Sequence, residues 1–137
     1  MKIMGLDVGE KRIGIALSDS THTIAQSLEC LKRKSLDEDI QALEFIIKEN
    51  EVGIIVAGLP LNMDGTSGKQ AKTVIDFVHI VKERTGLKVE TYDERLTSKL
   101  AESVLIESDM SRKKRKGKID SLAAVLILQG YLDSIKN

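Results

Sequence analysis

A chain of 137 residues has room for one domain with one sizeable core and is too short for two, so residues 1–137 are expected to form a single domain. Apolar residues at 42% and charged residues at 31% give the balance of a soluble globular protein, while 3% aromatics and no Trp argue against binding nucleic acid through rows of stacking rings. Lys plus Arg equals Asp plus Glu, 21 against 21, which excludes a global polycation and confines any phosphate binding to a local patch.

Lys2 to Val8 reads as a short buried strand closed by Gly9. Arg12 to Asp19 alternates, with Ile13, Ile15 and Leu17 on one face, as a half-buried strand does. Gly9, Glu10 and Lys11 make a hairpin-length connection between them. A third, weaker strand covers Ile24 to Leu31 and carries Cys30; a single cysteine forms no internal disulfide and fits a reducing compartment. Ser35 and Glu38 form a capping box ahead of Leu36, Ile40, Leu43 and Ile47 at helical spacing. Val52 to Ala57 is a continuous apolar run, the mark of a strand covered on both faces, and it breaks at Gly58-Leu59-Pro60. Ser67 with Gln70 predicts a second capped helix, carried by Ala71, Val74, Val78 and Val81 to about Arg84. Lys88 to Tyr92 is a last strand, Thr97 to Glu107 a helix, and Ile119 to Ile135 a final helix burying Leu122, Leu126 and Ile127.

Early hairpins give antiparallel pairing and later strand–helix–strand crossovers give parallel pairing. The expected fold is an α/β mixed five-stranded sheet with helices on both faces. No repeat or linker interrupts it. The N-terminus shows no signal peptide and no window approaches a membrane span, so the cytoplasm is expected.

Asp7 ends the first strand, and Asp93 and Glu94 end the last. With the first, fourth and fifth strands parallel, these carboxylates share one edge of the sheet, where open α/β folds place their sites. The helix from Thr97 runs away from that edge for ~16 Å. Ser108 to Lys118, if extended, spans roughly 35 Å and can return Asp120 to it. Carboxylates gathered without cations repel one another unless hard metal ions neutralise them, and all-oxygen donors without a Cys or His cluster point to Mg²⁺ or Mn²⁺. Two such ions would hold the attacking water and the leaving oxygen of a phosphodiester. Arg112, Lys113, Lys114, Arg115, Lys116 and Lys118 form a basic run beside Asp120, read as a phosphate-binding loop.

Each feature has a plainer reading. Asp7 before Val8-Gly9 fits a turn, Asp120 fits a dipole-stabilising first-turn residue, and most charge runs are solvated faces. Asn62 and Asp64 fit a tight turn, though so polar a loop at the active edge also suits substrate contact. His22 and His79 have no metal-ligand spacing and read as surface residues, and Cys30 as a strand residue without chemistry.

Asp7-Val8-Gly9 with Arg12-Ile13-Gly14, the run Gly58 to Gly65 (GLPLNMDG), the run Asp93 to Ser98 (DERLTS) and Lys118 to Ala124 (KIDSLAA) together resemble the YqgF family, in order and over essentially the whole chain. Its members are described as pre-16S rRNA nucleases and formerly as Holliday-junction resolvases. The resemblance implies a ribonuclease-H-like fold, a cytoplasmic place, and trimming of the 5′ end of pre-16S rRNA in ribosome biogenesis. It places the family's first acidic position on Asp7 and its last on Asp120. The middle one falls on Asp93-Glu94; the metal set carried forward is Asp7, Glu94 and Asp120, with Asp93 kept as a catalytic candidate because the sequence does not tell which of the pair faces the metal. Related resolvases carry a carboxylate where this chain has Gly58-Leu59-Pro60.

The reading is a metal-dependent RNA nuclease, monomeric or weakly dimeric, with Arg12, Arg95 and the basic run on the nucleic-acid backbone. Its rivals are a resolvase of branched DNA, which needs a dimer, and a non-catalytic RNA-binding factor for ribosome assembly or transcription. A phosphotransferase of the sugar-kinase kind needs two such domains and is set aside.

Overall fold

The computed structural model describes the backbone of residues 1–62, 64–94 and 112–135, and the side chains of these residues except 112–121. Five strands form one sheet: β1 (Lys2–Val8), β2 (Arg12–Ser18), β3 (Ala25–Lys32), β4 (Val52–Leu59) and β5 (Lys88–Asp93). Their order is β3-β2-β1-β4-β5. β1–β2 and β2–β3 are antiparallel, β1–β4 and β4–β5 parallel. The mixed sheet is the one expected, and it leaves Val8, Leu59 and Asp93 at a common carboxyl edge.

Alternation along β1 divides its side chains between two cores. Met4 and Leu6 join Ile13, Ile15 and Leu17 of β2 under α1 (Leu36–Glu49) and α2 (Lys69–Thr85). Ile3 packs on the other face with Ala124, Ile127, Leu128 and Leu132 of α3 (Arg112–Ile135). Gly5 lets α3 come this close: a Cβ there would lie 2.7 Å from Leu128 Cβ and 3.1 Å from the Ala124 carbonyl oxygen. Of the residues expected to be buried in this helix, Ile127 is, whereas Leu122 and Leu126 are half-covered and Ala124, Leu128 and Leu132 carry the contact.

The Ser35 hydroxyl caps α1 as expected, accepting from the Glu38 amide at 3.2 Å. The cap expected at Ser67 is absent. Ser67 forms an isolated bridge with Leu61, and the extended Gly68 takes the N-cap position with no side-chain bond. Gly86 ends α2 in the left-handed conformation at φ 71°. Gly58 and Leu59 continue β4 instead of breaking it, because both pair with β5, Gly58 opposite Tyr92 and Leu59 opposite Asp93. The basic run is not a loop: Arg112 to Lys118 are the opening turns of α3, in keeping with the good helix propensity of Arg and Lys. The helix expected over 97–107 lies outside the described residues. No described helix is long and apolar enough to cross a membrane.

Candidate active site

Asp7 shares the face of β1 that carries Ile3 and Gly5, the face covered by α3. Its backbone pairs with Gly14, while Leu6 beside it pairs with Ala57, which brings Asp7 level with Gly58. Glu94, the residue after β5, folds back over Gly58. A Cβ on Gly58 would lie 2.8 Å from both Cγ and Oε1 of Glu94. The Glu94 side chain hydrogen-bonds Asp7.

Burial pushes the Glu94 carboxyl up to about 8, helped by its hydrogen bond to Asp7 and by the negative charges of Asp7 and Asp93. Near neutral pH Glu94 therefore keeps its proton and donates it to the Asp7 carboxylate. The pair borders a cavity of about 270 Å³ at the carboxyl edge, closed by the Gly9 turn and by Lys69, Gln70 and Thr73 of α2.

Of the adjacent pair Asp93 and Glu94, Glu94 meets Asp7 and lines the cavity, whereas Asp93 acts on Glu94 through its charge. Asp120 lies in α3 one turn before Ala124, and its side chain is outside the described residues. Ala124 rests on Gly5, and Gln129 further along donates to the Thr23 carbonyl at 3.0 Å, beyond the opposite edge. The helix thus runs against the direction of β1. One turn back from Ala124, roughly 6 Å, leads from the level of Gly5 toward that of Asp7. Among the described residues no three His, Cys, Asp or Glu side chains are grouped as a metal site.

Arg12 is exposed at the start of β2, opposite Lys32. Arg95 lies outside the described residues, as do the side chains of Arg112, Lys113, Lys114, Arg115, Lys116 and Lys118. Asn62 and Asp64 close a tight turn: Asn62 Nδ2 donates to Thr66 Oγ1 at 3.0 Å and the Thr66 hydroxyl to Asp64 Oδ1 at 2.6 Å. Neither lines the cavity. His22 bonds the Met1 carbonyl through Nε2, His79 faces Glu83, and Cys30 is exposed. The sequence assigned no site role to Lys69, Gln70 or Thr73, and Gln70 was read only as a capping-box partner. Their one signal was position, in the first turns of a helix that follows the strand ending at the site.

Two solved structures share this architecture. RuvC of Thermus thermophilus in complex with a Holliday junction substrate superposes with a TM-score of 0.62 over 100% of this chain and 97% of that one, at 12% identity. The fowlpox virus resolvase, complexed with Holliday junction DNA, superposes with a TM-score of 0.60 over 100% of both chains, at 16% identity. The fold is therefore ribonuclease-H-like.

A family model described as "RuvX: Holliday junction resolvase" matches residues 1–134. A protein of Thermoanaerobacter pseudethanolicus named "Putative pre-16S rRNA nuclease" is 55% identical over 100% of this chain and 99% of its own length. One of the same name from Clostridioides difficile is 54% identical over 96% of this chain and 94% of its own. This chain belongs to the RuvX family, also called YqgF, a family of nucleases that hydrolyse phosphodiester bonds.

Proposed function

We propose that this chain, as one domain in the cytoplasm, hydrolyses RNA phosphodiesters with two Mg²⁺ or Mn²⁺ ions and trims the 5′ end of pre-16S rRNA. The carrying observation is the Asp7–Glu94 contact: two carboxylates held against each other at the sheet's carboxyl edge, beside an open cavity. The donors are hard oxygens, and no thiolate or imidazole lines the cavity. That set fits a hard divalent cation and not zinc. Such ions, when bound, supply an activated water and neutralise the leaving oxygen.

The chain's own residues hold and orient. Asp7 and Glu94 form one side of the metal set, with Glu94 releasing its proton as it binds. Asp120 completes the set from α3, and Asp93 keeps the local field negative. Lys69 at the cavity wall, the basic run 112–118, Arg12 and Arg95 bind the phosphate backbone. The names carried by the relatives support RNA as the substrate, and those of the solved neighbours make a four-way DNA junction the comparator.

The test incubates the purified protein with a 5′-extended pre-16S rRNA fragment and with a DNA junction, in Mg²⁺, Mn²⁺ or EDTA. Asp7→Asn, Glu94→Gln and Asp120→Asn are run alongside. RNA cleavage that needs metal and vanishes in folded variants is expected. Tight RNA binding without cleavage, unchanged by EDTA or the substitutions, would sink the nuclease in favour of a binding factor.

A further inference from the structure

A second groove adjoins the acidic cavity, and the sequence reading assigned it no role. It has a volume of about 450 Å³ and lies where the β1–β2 turn meets the connection from β3 to α1. Glu10 and Thr73 line both hollows, so the two lie side by side. Its rim carries Lys11, Lys32 and Lys34.

The floor is built by Arg33, whose charge is already neutralised. Arg33 Nε donates to Asp39 Oδ2 at 3.0 Å and Nη1 to the Gly9 carbonyl at 2.9 Å, and its guanidinium stacks 5.1 Å from the Phe77 ring centroid. The Arg33 amide donates to the Lys11 carbonyl at 2.9 Å, and the Lys34 amide to Asp39 Oδ1 at 2.9 Å. Asp39 is only 3% exposed, so this clamp fixes the turn after Asp7 from within. The same bonds fix the backbone of Lys11 and Lys34.

The three lysines are treated differently. Arg84 pairs with Asp37 and Glu44, and Lys88 with Glu90. Among the described residues no carboxylate pairs with the ammonium of Lys11, Lys32 or Lys34. Glu10 is the acid facing the groove besides the engaged Asp39. Among the described residues no aromatic face is open in the groove, since Phe77 is covered by Arg33. A surface of this kind suits backbone phosphates and offers no stacking face to a base.

We propose that the groove of Lys11, Lys32 and Lys34 is a second backbone-phosphate subsite, which seats the RNA strand beside the phosphate being cut. It rests on the nuclease reading for what is cut, and it makes binding on this flank independent of base sequence. The Arg33–Asp39 clamp makes it one rigid unit with the Gly9 turn, so a strand seated there is held in register with Asp7.

The experiment measures binding of fluorescein-labelled single-stranded RNA of the pre-16S 5′ extension by anisotropy, in EDTA across a salt series, and cleavage in Mg²⁺. It compares wild type with K11Q/K32Q/K34Q, which keeps the side-chain stems and leaves Arg33 intact. A control, K48Q/K82Q/K88Q, removes the same charge from the far edge of the sheet. The groove triple is expected to bind about tenfold or more weakly near 100 mM salt, with the slope of log K against log salt reduced by about 2, the share of three single-strand phosphates. KM should rise with kcat unchanged, while the control stays within about twofold of wild type. Equal losses in both triples, or none in the groove triple, would overturn the subsite. A loss on a four-way DNA junction with none on the RNA would overturn the assignment to RNA. Wild type that binds RNA without cutting it would defeat the nuclease reading alone, since the anisotropy arm judges the groove by itself.

Discussion

The two edges of the sheet treat a carboxylate in opposite ways. At the far edge, Asp19 just past β2 accepts the amides of Thr23 at 2.7 Å and Ile24 at 2.9 Å, and also the Thr21 hydroxyl. Those bonds, led by the Ile24 amide, hold its carboxyl well below the usual range. At the carboxyl edge, Asp7 and Glu94 are turned toward each other, and Glu94 is driven up instead of down. The same functional group closes a loop in one place and holds a proton against a second carboxylate in the other. Under the proposed function, that acidic pair is the seat of a divalent cation.

The largest effect should follow from breaking the acidic pair. Asp7→Asn is expected to reduce metal-dependent cleavage by more than the roughly 10–100-fold that outer-sphere partners of a metal site are worth. Asp19→Asn, an equal change in charge at the other edge, should leave the rate unchanged. Single-turnover cleavage of the same RNA by both variants makes the comparison. Comparable losses in the two would show that net charge, not the pair, governs activity.

Next comes the glycine that the pair requires. A Cβ on Gly58 would sit 2.4 Å from Ile127 Cδ1 and 2.8 Å from Glu94 Cγ. Gly58→Ala overpacks the seam between β4 and α3, which costs about 1–3 kcal/mol in urea unfolding, and it lifts Glu94 away from Asp7. Activity should fall further than the lost stability explains. An active, fully stable Gly58→Ala would mean that Glu94 does not need this seat.

Much of this architecture could be read from the residues. Alternation in β1 and β2 placed Ile13, Ile15 and Leu17 on one core, and the hairpin and crossover lengths gave both strand directions. The carboxyl edge followed from those directions, and with it the neighbourhood of Asp7 and Glu94. What periodicity could not supply was competition between neighbours. Ser67 offered a cap, but its backbone was claimed by Leu61. Gly58 looked like a break because its lack of a side chain suits a turn, yet here it makes room for Glu94 within a strand. The choice between Asp93 and Glu94 depended on how the chain leaves β5. The second groove was illegible for the same kind of reason: Lys11 and Lys34 meet only because Arg33 and Asp39, six residues apart, tie two connections together.

The pH dependence of stability should carry opposite signs at the two edges. The folded Glu94 keeps its proton up to about 8, whereas in the unfolded chain it loses it near 4.5. Between these values the native state binds more protons, so the metal-free protein loses stability as pH rises through that window. Glu94 is partly solvated, so after screening the loss is on the order of 1–2 kcal/mol. Glu94→Gln should remove this slope and raise the Tm at pH 8, and saturating Mg²⁺ should flatten the wild-type slope. A metal-free Tm that climbs from pH 5 to 8 in wild type and variant alike would contradict the contact.

The smallest effect belongs to Asp19, and its sign sharpens the contrast. Its folded pKa is depressed, so its contribution is present above the unfolded value and fades as the solution is acidified below about 4. Asp19→Asn keeps a carbonyl acceptor for the Thr23 and Ile24 amides. It should lower the Tm slightly at neutral pH and not at all in acid, where the wild-type carboxylate is itself losing its charge. A Tm difference that persisted unchanged into acid would assign the loop's stability to shape and hydrogen bonding alone. The charge of Asp19 would then be incidental, and the opposition between the two edges would rest on Glu94.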